Sequence, residues 1–231
     1  MSPGGQVRTP RSLYPMLVDL VGRRCVVIGG GPVAERKVSR LLQCGAEVCV
    51  VTPEATDALA GMASVGRITL QVRPVRPSDL AGAFLVFAAT NDSGLNRVLA
   101  EAARRQGSLV NIADDPAGSS FHVPSRVQRG DLTITISTAG GSPALAKKLR
   151  QRIEATVGPE YEAFLAALRT LRAQAQARIA DPAARQALYR QAVESDLYED
   201  AAAGRTELVA ARIEALVQAA AERETELRKQ P

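Results

Sequence analysis

The chain has 231 residues, 46% of them hydrophobic, with 29 Lys and Arg against 24 Asp and Glu and a formal net charge of +5. That length buries a sizeable core, in one large domain or two to three small ones. No apolar run approaches the roughly 18 residues that span a bilayer, and the first dozen residues lack the apolar core of a signal peptide, so they read as a loose tail.

In chain order, the apolar run 25–28 reads as a buried strand. It breaks into Gly29-Gly30-Gly31-Pro32-Val33-Ala34, and a helical pattern follows over 33–44, with Val33, Ala34, Val38, Leu41 and Leu42 apolar and Gly45 closing it. A strand, a glycine turn and a helix in that order suit a dinucleotide pyrophosphate. Gly29 permits the tight turn, Gly31 lets the backbone approach the phosphates, and Ala34 allows the helix to pack closely on the strand. Pro32 fits the first helical turn, where a missing N–H costs nothing. Pro32 and Val33 would lie against the cofactor, and the open amides of that turn attract an anion.

Further strands are predicted over 48–51, 67–72, 84–89 and 108–112, with a short helix over 55–62. A longer helix, capped by Thr90-Asn91-Asp92, reaches about residue 106. Strands alternating with helices predict an α/β fold with a parallel sheet covered on both faces. Glu54 follows the second strand, where such folds place the acidic residue that binds the adenosine ribose; alternatively Thr52 and Pro53 wall the adenine. No Arg follows that strand immediately to meet a 2′-phosphate, which favours NAD over NADP. Thr90 and Asn91 stand where the nicotinamide ribose is held, and serve equally as a helix cap. Asp114 follows the fifth strand directly, so it projects from the carboxyl edge of the sheet, where cofactors and substrates meet. Its bland alternative is a cap on the turn before Pro116.

Beyond Asp114 the pattern changes. Residues 115–120 read as a loop, and 132–137 alternate with period two, which predicts a half-buried strand in a separate, antiparallel sheet. Gly140-Gly141-Ser142-Pro143 starts a helix, with Ser142 as N-cap and Pro143 at its first position. The remainder is rich in Ala, Leu, Glu, Gln and Arg, with breaks near 158–159, 181–182 and 204, and reads as three or four helices.

The charge is uneven. Residues 179–231 hold seven Lys and Arg against ten Asp and Glu, leaving 22 against 14 in residues 1–178. With four Tyr, four Phe and no Trp to stack bases, an anionic small molecule is a better partner than nucleic acid. Cys25, Cys44 and Cys49 are odd in number and lack metal-ligand spacing, so they read as small buried hydrophobes, consistent with a reducing cytoplasm.

Four segments taken in order, Gly29 to Lys37, Ala88 to Asp92, Val110 to Pro116 with Ser120-Phe121, and Ser137 to Ala146, resemble the precorrin-2 dehydrogenase family. That family includes the N-terminal module of siroheme synthases. The match runs from about Tyr14 to about Glu154. It implies a homodimer of three parts: a Rossmann domain over 12–113, a small β dimerisation region over 114–142 and a helical domain over 143–231. The implied activity is NAD-dependent oxidation of precorrin-2 to sirohydrochlorin in siroheme or cobalamin synthesis. Some members also insert iron, taking Fe²⁺ as a substrate.

By the same resemblance Asp114 takes the place of the catalytic aspartate, the base for the proton lost as hydride leaves for nicotinamide. It could also relieve pyrrole nitrogens of protons during metal insertion. Asp115 departs from the family pattern. Thr138, Gly140 and Gly141 fall beside the tetrapyrrole pocket, against the plainer reading of a strand end. His122 is the only histidine, and one histidine builds no zinc site, so no resident metal is expected. Lys147, Lys148, Arg150 and Arg152 would supply partners for some of the substrate's eight carboxylates, or form a solvated surface. The competing class is an NAD-binding or sensing module without chemistry, its helical tail contacting a partner.

Overall fold

The computed structural model describes residues 13–229, so the reading of 1–12 as a tail lies outside the described residues. Two compact units divide the chain, one running to Val123 and the other from Pro124.

The first unit runs β1 (Arg24–Ile28), α1 (Pro32–Gln43), β2 (Glu47–Thr52), α2 (Asp57–Ser64), β3 (Thr69–Val72), β4 (Leu85–Ala88), α3 (Ser93–Arg105) and β5 (Leu109–Ile112). Its five strands form one sheet in the order β3-β2-β1-β4-β5, all parallel. This is the α/β architecture expected from the alternation of strands and helices. In the central strand, Val26 lies opposite Cys49 of β2 and Val86 of β4. Alternate residues of β1 serve two cores. Cys25 and Val27 cluster with Ala34, Val38 and Leu41 of α1, whereas Val26 and Ile28 cluster with Leu99, Ala100 and Ala103 of α3. A strand covered on both faces has no place for a polar residue inside the sheet, which is why 25–28 is apolar without alternation. Burial pushes the Cys25 thiol up to about 11. Cys44, by contrast, is exposed, because it caps the C-terminus of α1 beyond the core-facing stripe.

Within the first unit one element escaped the sequence reading. A single 3₁₀ turn over Pro77–Leu80 precedes β4. It carries Asp79, a buried carboxylate that accepts hydrogen bonds from Arg73 Nη1 and Nη2 at 2.8 and 2.6 Å and from the Arg76 amide at 2.7 Å.

The second unit opens with an antiparallel hairpin, β6 (Ser125–Arg129) and β7 (Leu132–Ile136), in which Val127 lies opposite Ile134. A strand over 132–137 is expected from the sequence and β7 takes Leu132–Ile136 of it; β6 is not expected, since Val127 is its only apolar residue and it shows no alternation. Five helices follow: α4 (Pro143–Thr156), α5 (Glu160–Arg178), α6 (Pro182–Val193), α7 (Leu197–Ala202) and α8 (Thr206–Lys229). The breaks expected at 158–159, 181–182 and 204 are present, and one more at Ser195 corrects the count of three or four. There the serine Oγ donates to the Ala192 carbonyl at 2.8 Å and accepts from the Leu197 amide at 3.3 Å, ending one helix and starting the next without Gly or Pro. Leu171, Leu188, Leu197, Ile213 and Val217 form the core of this unit. Among the described residues no helix is long and apolar enough to cross a membrane.

Hydrogen bonding by the Arg73 guanidinium holds the Asp79 carboxyl below the ordinary carboxylate range. Asp79→Asn is expected to cost about 2 kcal/mol in urea unfolding at neutral pH. A depressed carboxylate stabilises the fold above its unfolded pKa and loses that contribution as pH falls through the folded value. The gap between wild type and variant should therefore close below about pH 4, and a gap that persists there would remove the ion pair as its cause.

Candidate active site

The strand order reverses direction between β1 and β4, and in sheets of this kind the ligand crevice opens at that point, outside the carboxyl ends of the strands. The turn from β1 into α1 is shaped by two close approaches. Gly29 has φ +115°, and a Cβ there would lie 2.8 Å from the Ala89 carbonyl carbon. A Cβ at Gly30 would overlap the Glu54 carbonyl oxygen and come within 2.7 Å of Thr52 Oγ1. Gly31 is different: nothing lies within 4 Å of the space its Cβ would take. It is the N-cap of α1 and supplies no side-chain cap, so the first-turn amides remain available. Open space beside an uncapped main chain, at the positive end of a helix, fits the pyrophosphate of a dinucleotide. Sequence reasoning assigned tasks to Gly29 and Gly31 and none to Gly30. The neighbour Gly30 must clear lies 24 residues further on.

At the end of β2, Thr52 is buried and its Oγ1 donates to the Glu54 carbonyl at 2.6 Å. Its hydroxyl is thus used within the turn. Pro53 and Glu54 are exposed. Thr56 Oγ1 donates to Glu35 Oε2 at 3.1 Å, tying the start of α2 to α1.

On the other side of α1 lies a cleft of about 570 Å³, lined by Val33, by Ala89, Thr90 and Asn91 after β4, and by Ala113 and Asp114 after β5. Three cations of α1, Arg36, Lys37 and Arg40, complete its wall. The structure thus brings Val33, Thr90, Asn91 and Asp114 to one place. Thr90 is held by Asn96, a fully buried residue the sequence reading missed. Asn96 Oδ1 accepts from Thr90 Oγ1 at 2.8 Å and from its amide at 3.3 Å, and Asn96 Nδ2 donates to the Thr90 carbonyl at 3.0 Å. The helix cap itself is Asp92, whose carboxylate accepts from the Leu95 amide at 3.0 Å.

The adjacent aspartates differ. Asp115 Oδ1 accepts from the Gly118 amide at 2.8 Å and its Oδ2 lies 3.9 Å from Arg97, so it shapes the loop. Asp114 is exposed on the cleft, and no hydrogen bond or ion pair engages its carboxylate among the described residues. His122 Nε2 lies 3.0 Å from the Pro116 carbonyl, again a contact within the loop.

Thr138, Gly140 and Gly141 belong to the second unit, where they form the turn into α4. The Gly141 amide donates to the Thr138 carbonyl at 2.8 Å and the Ser142 amide to Thr138 Oγ1 at 3.0 Å. Ala139, between them, has φ +50°. On α4, Arg150 pairs with Glu154, while Lys147 and Lys148 are exposed.

Residues 16–125 match a family model for NAD(P)-binding, and 129–156 match one described as sirohaem biosynthesis protein central. The siroheme synthase of Nitrosococcus oceani is 35% identical over 204 residues, 88% of this chain and 44% of that protein. That of Methylobacillus flagellatus is 42% identical over 147 residues, 64% of this chain and 32% of its own length. The chain spans less than half the length of these curated relatives. The solved structure of SirC, precorrin-2 dehydrogenase, has a TM-score of 0.73 at 26% identity, covering 87% of this chain and 99% of that one. The cofactor of the first unit is accordingly a nicotinamide dinucleotide.

The two inner glycines separate folding from binding. Gly31→Ala should melt with wild type yet weaken binding of the nicotinamide dinucleotide by about tenfold, measured by fluorescence titration. Gly30→Ala should lose about 1–3 kcal/mol of stability, because its new methyl meets main chain that cannot give way. Equal melting of the two variants would contradict this division.

Proposed function

We propose that this chain, which belongs to the precorrin-2 dehydrogenase family together with the N-terminal modules of siroheme synthases, oxidises precorrin-2 to sirohydrochlorin. The observation that carries this reading is Asp114, a carboxylate without an internal partner on the rim of the cleft at the strand switch point.

Oxidation of the substrate removes a hydride and a proton. NAD, held over Gly29, Gly31, Pro32 and Val33, would supply the hydride acceptor. Asp114 takes the proton, being the one carboxylate among the cleft residues and free to accept it. Thr90, locked by Asn96, and Asn91 beside it position the nicotinamide half. Pro53 and Glu54 border the adenosine half, and a carboxylate there repels a 2′-phosphate, which supports NAD over NADP. Thr138, Gly140 and Gly141 are proposed to contact the tetrapyrrole. The same carboxylate suits the insertion of Fe²⁺ as a second substrate, since that reaction also needs a proton acceptor. A module that merely bound NAD would have no use for an acid so placed. The proposed working form is a homodimer in the cytoplasm, built through the β region over 114–142, with the Rossmann part over 12–113 and the helical part over 143–231. Three cysteines without a disulfide support the cytoplasmic assignment.

Asp114→Asn should lower kcat for precorrin-2-dependent NADH formation by about a hundredfold or more, the usual worth of a positioned general base. Its NAD affinity should stay within about twofold of wild type, because the carboxylate does not hold the phosphates. Absorbance at the NADH band reports the first quantity and cofactor titration the second. Turnover retained at wild-type level would overturn the assignment.

A further inference from the structure

Helix α1 carries two stripes. Ala34, Val38 and Leu41 are buried in the core. Val33, Arg36, Lys37 and Arg40, spaced i, i+3, i+4 and i+7, line the cleft instead. Three cations thus face a cavity whose lining includes one carboxylate, Asp114. Arg36 and Lys37 form no ion pair among the described residues, and Lys37 Nζ sits 5.3 Å from the centroid of the Phe87 ring. Phe87 is itself fixed edge-on against Phe121, with 5.4 Å between centroids. Burial, then the charges of Arg40 and Arg36, lower the Lys37 pKa from its ordinary value, so an anion arriving beside it would be favoured.

The cofactor does not account for this wall. Its pyrophosphate belongs at Gly31 and the first-turn amides, whereas Arg36 and Arg40 stand about 8 and 14 Å further along the helix axis. The bound group must be anionic, extended, and adjacent to Asp114.

Resting on the reading of the site as a precorrin-2 dehydrogenase, we propose that Arg36, Lys37 and Arg40 bind acidic side chains of the polycarboxylate tetrapyrrole and set its ring against Asp114. Two guanidiniums can each grip a carboxylate with paired hydrogen bonds, and the ammonium adds a point charge between them. This assigns substrate recognition to the dinucleotide-binding helix itself. The basic residues of α4, read from the sequence either as partners for some carboxylates or as a solvated surface, are not required for it.

The probe is uroporphyrin, an aromatic octacarboxylate that needs no turnover to be detected, titrated by fluorescence into wild type, Arg36→Gln/Arg40→Gln, and the charge-preserving Arg36→Lys/Arg40→Lys. The glutamine pair should weaken uroporphyrin binding by about tenfold or more and flatten its salt dependence, with the lysine pair recovering part of the loss. Precorrin-2 kinetics should show the same rise in KM with kcat within about twofold, and NAD affinity should be unchanged. Lys37→Met removes the charge at similar side-chain length and should give a smaller loss in the same direction. Absence of uroporphyrin binding to wild type would sink the proposal. So would wild-type binding by the glutamine pair, or an equal loss of NAD affinity, which would hand the wall to the cofactor. Failure of wild type to make NADH from precorrin-2, with octacarboxylate binding still dependent on α1, would instead reject the dehydrogenase reading and leave the anion site standing.

Discussion

Main chain passes main chain at the carboxyl edge of the sheet with no room for a side chain, and the rest of the first unit is arranged around that passage. The turn after β1 runs against the Glu54 carbonyl on one side and the Ala89 carbonyl on the other. These neighbours are the loops that follow β2 and β4. Strand pairing of β1 with both β2 and β4 aligns the three strand ends, and glycine lets the loops close together. A methyl group at Gly29 or Gly30 would push apart the loops that meet there, whereas the space beside Gly31 is open. One three-residue run therefore both joins the sheet edge and leaves the first amides of α1 uncapped beside it.

Polar side chains then lock the loops that glycine brings near. Asn96, fully buried, reads both the amide and the carbonyl of Thr90 and so fixes the chain after β4 from inside the protein. Ser119 does the same after β5, accepting from the Ile112 amide at 2.9 Å and donating to the Asp115 carbonyl at 2.9 Å. Buried hydrogen bonds of this kind cost more to break than they gain in forming, which makes them effective latches. With Asp115 committed to its own loop, its neighbour is left facing the cleft. The division of labour between two identical side chains is set by loop geometry alone.

The helical unit obeys a different economy. Its core is aliphatic, with Tyr161, Phe164 and Tyr198 packed ring against ring at one end. Among its described residues the one deeply buried carboxylate, Asp200, accepts hydrogen bonds from Arg205 and Arg212 that hold its pKa below the ordinary range. Among the described residues no comparable pairing surrounds Asp114, whose carboxylate stays open to the cleft.

Much of this was legible beforehand because it is written in local pattern. The apolar run of β1, the glycine turn, Pro32 and the helical period of α1 specify a strand–turn–helix unit within one stretch of chain, and the position of Asp114 after an apolar strand places it at the sheet edge. Ser142 and Pro143 announce α4 in the same way. What sequence alone could not deliver depends on residues distant along the chain. The strand order, the neighbour that obliges Gly30, and Asn96 as the partner of Thr90 are settled by tertiary contacts that no short window contains. The break at Ser195 lacks any Gly or Pro to announce it, and β6 has a single apolar residue to betray it. The stripe of Arg36, Lys37 and Arg40 has the spacing of an ordinary solvated face, and only the loops after β4 and β5 make it the wall of a cleft. Periodicity determines which side chains share a face; folding determines what that face meets.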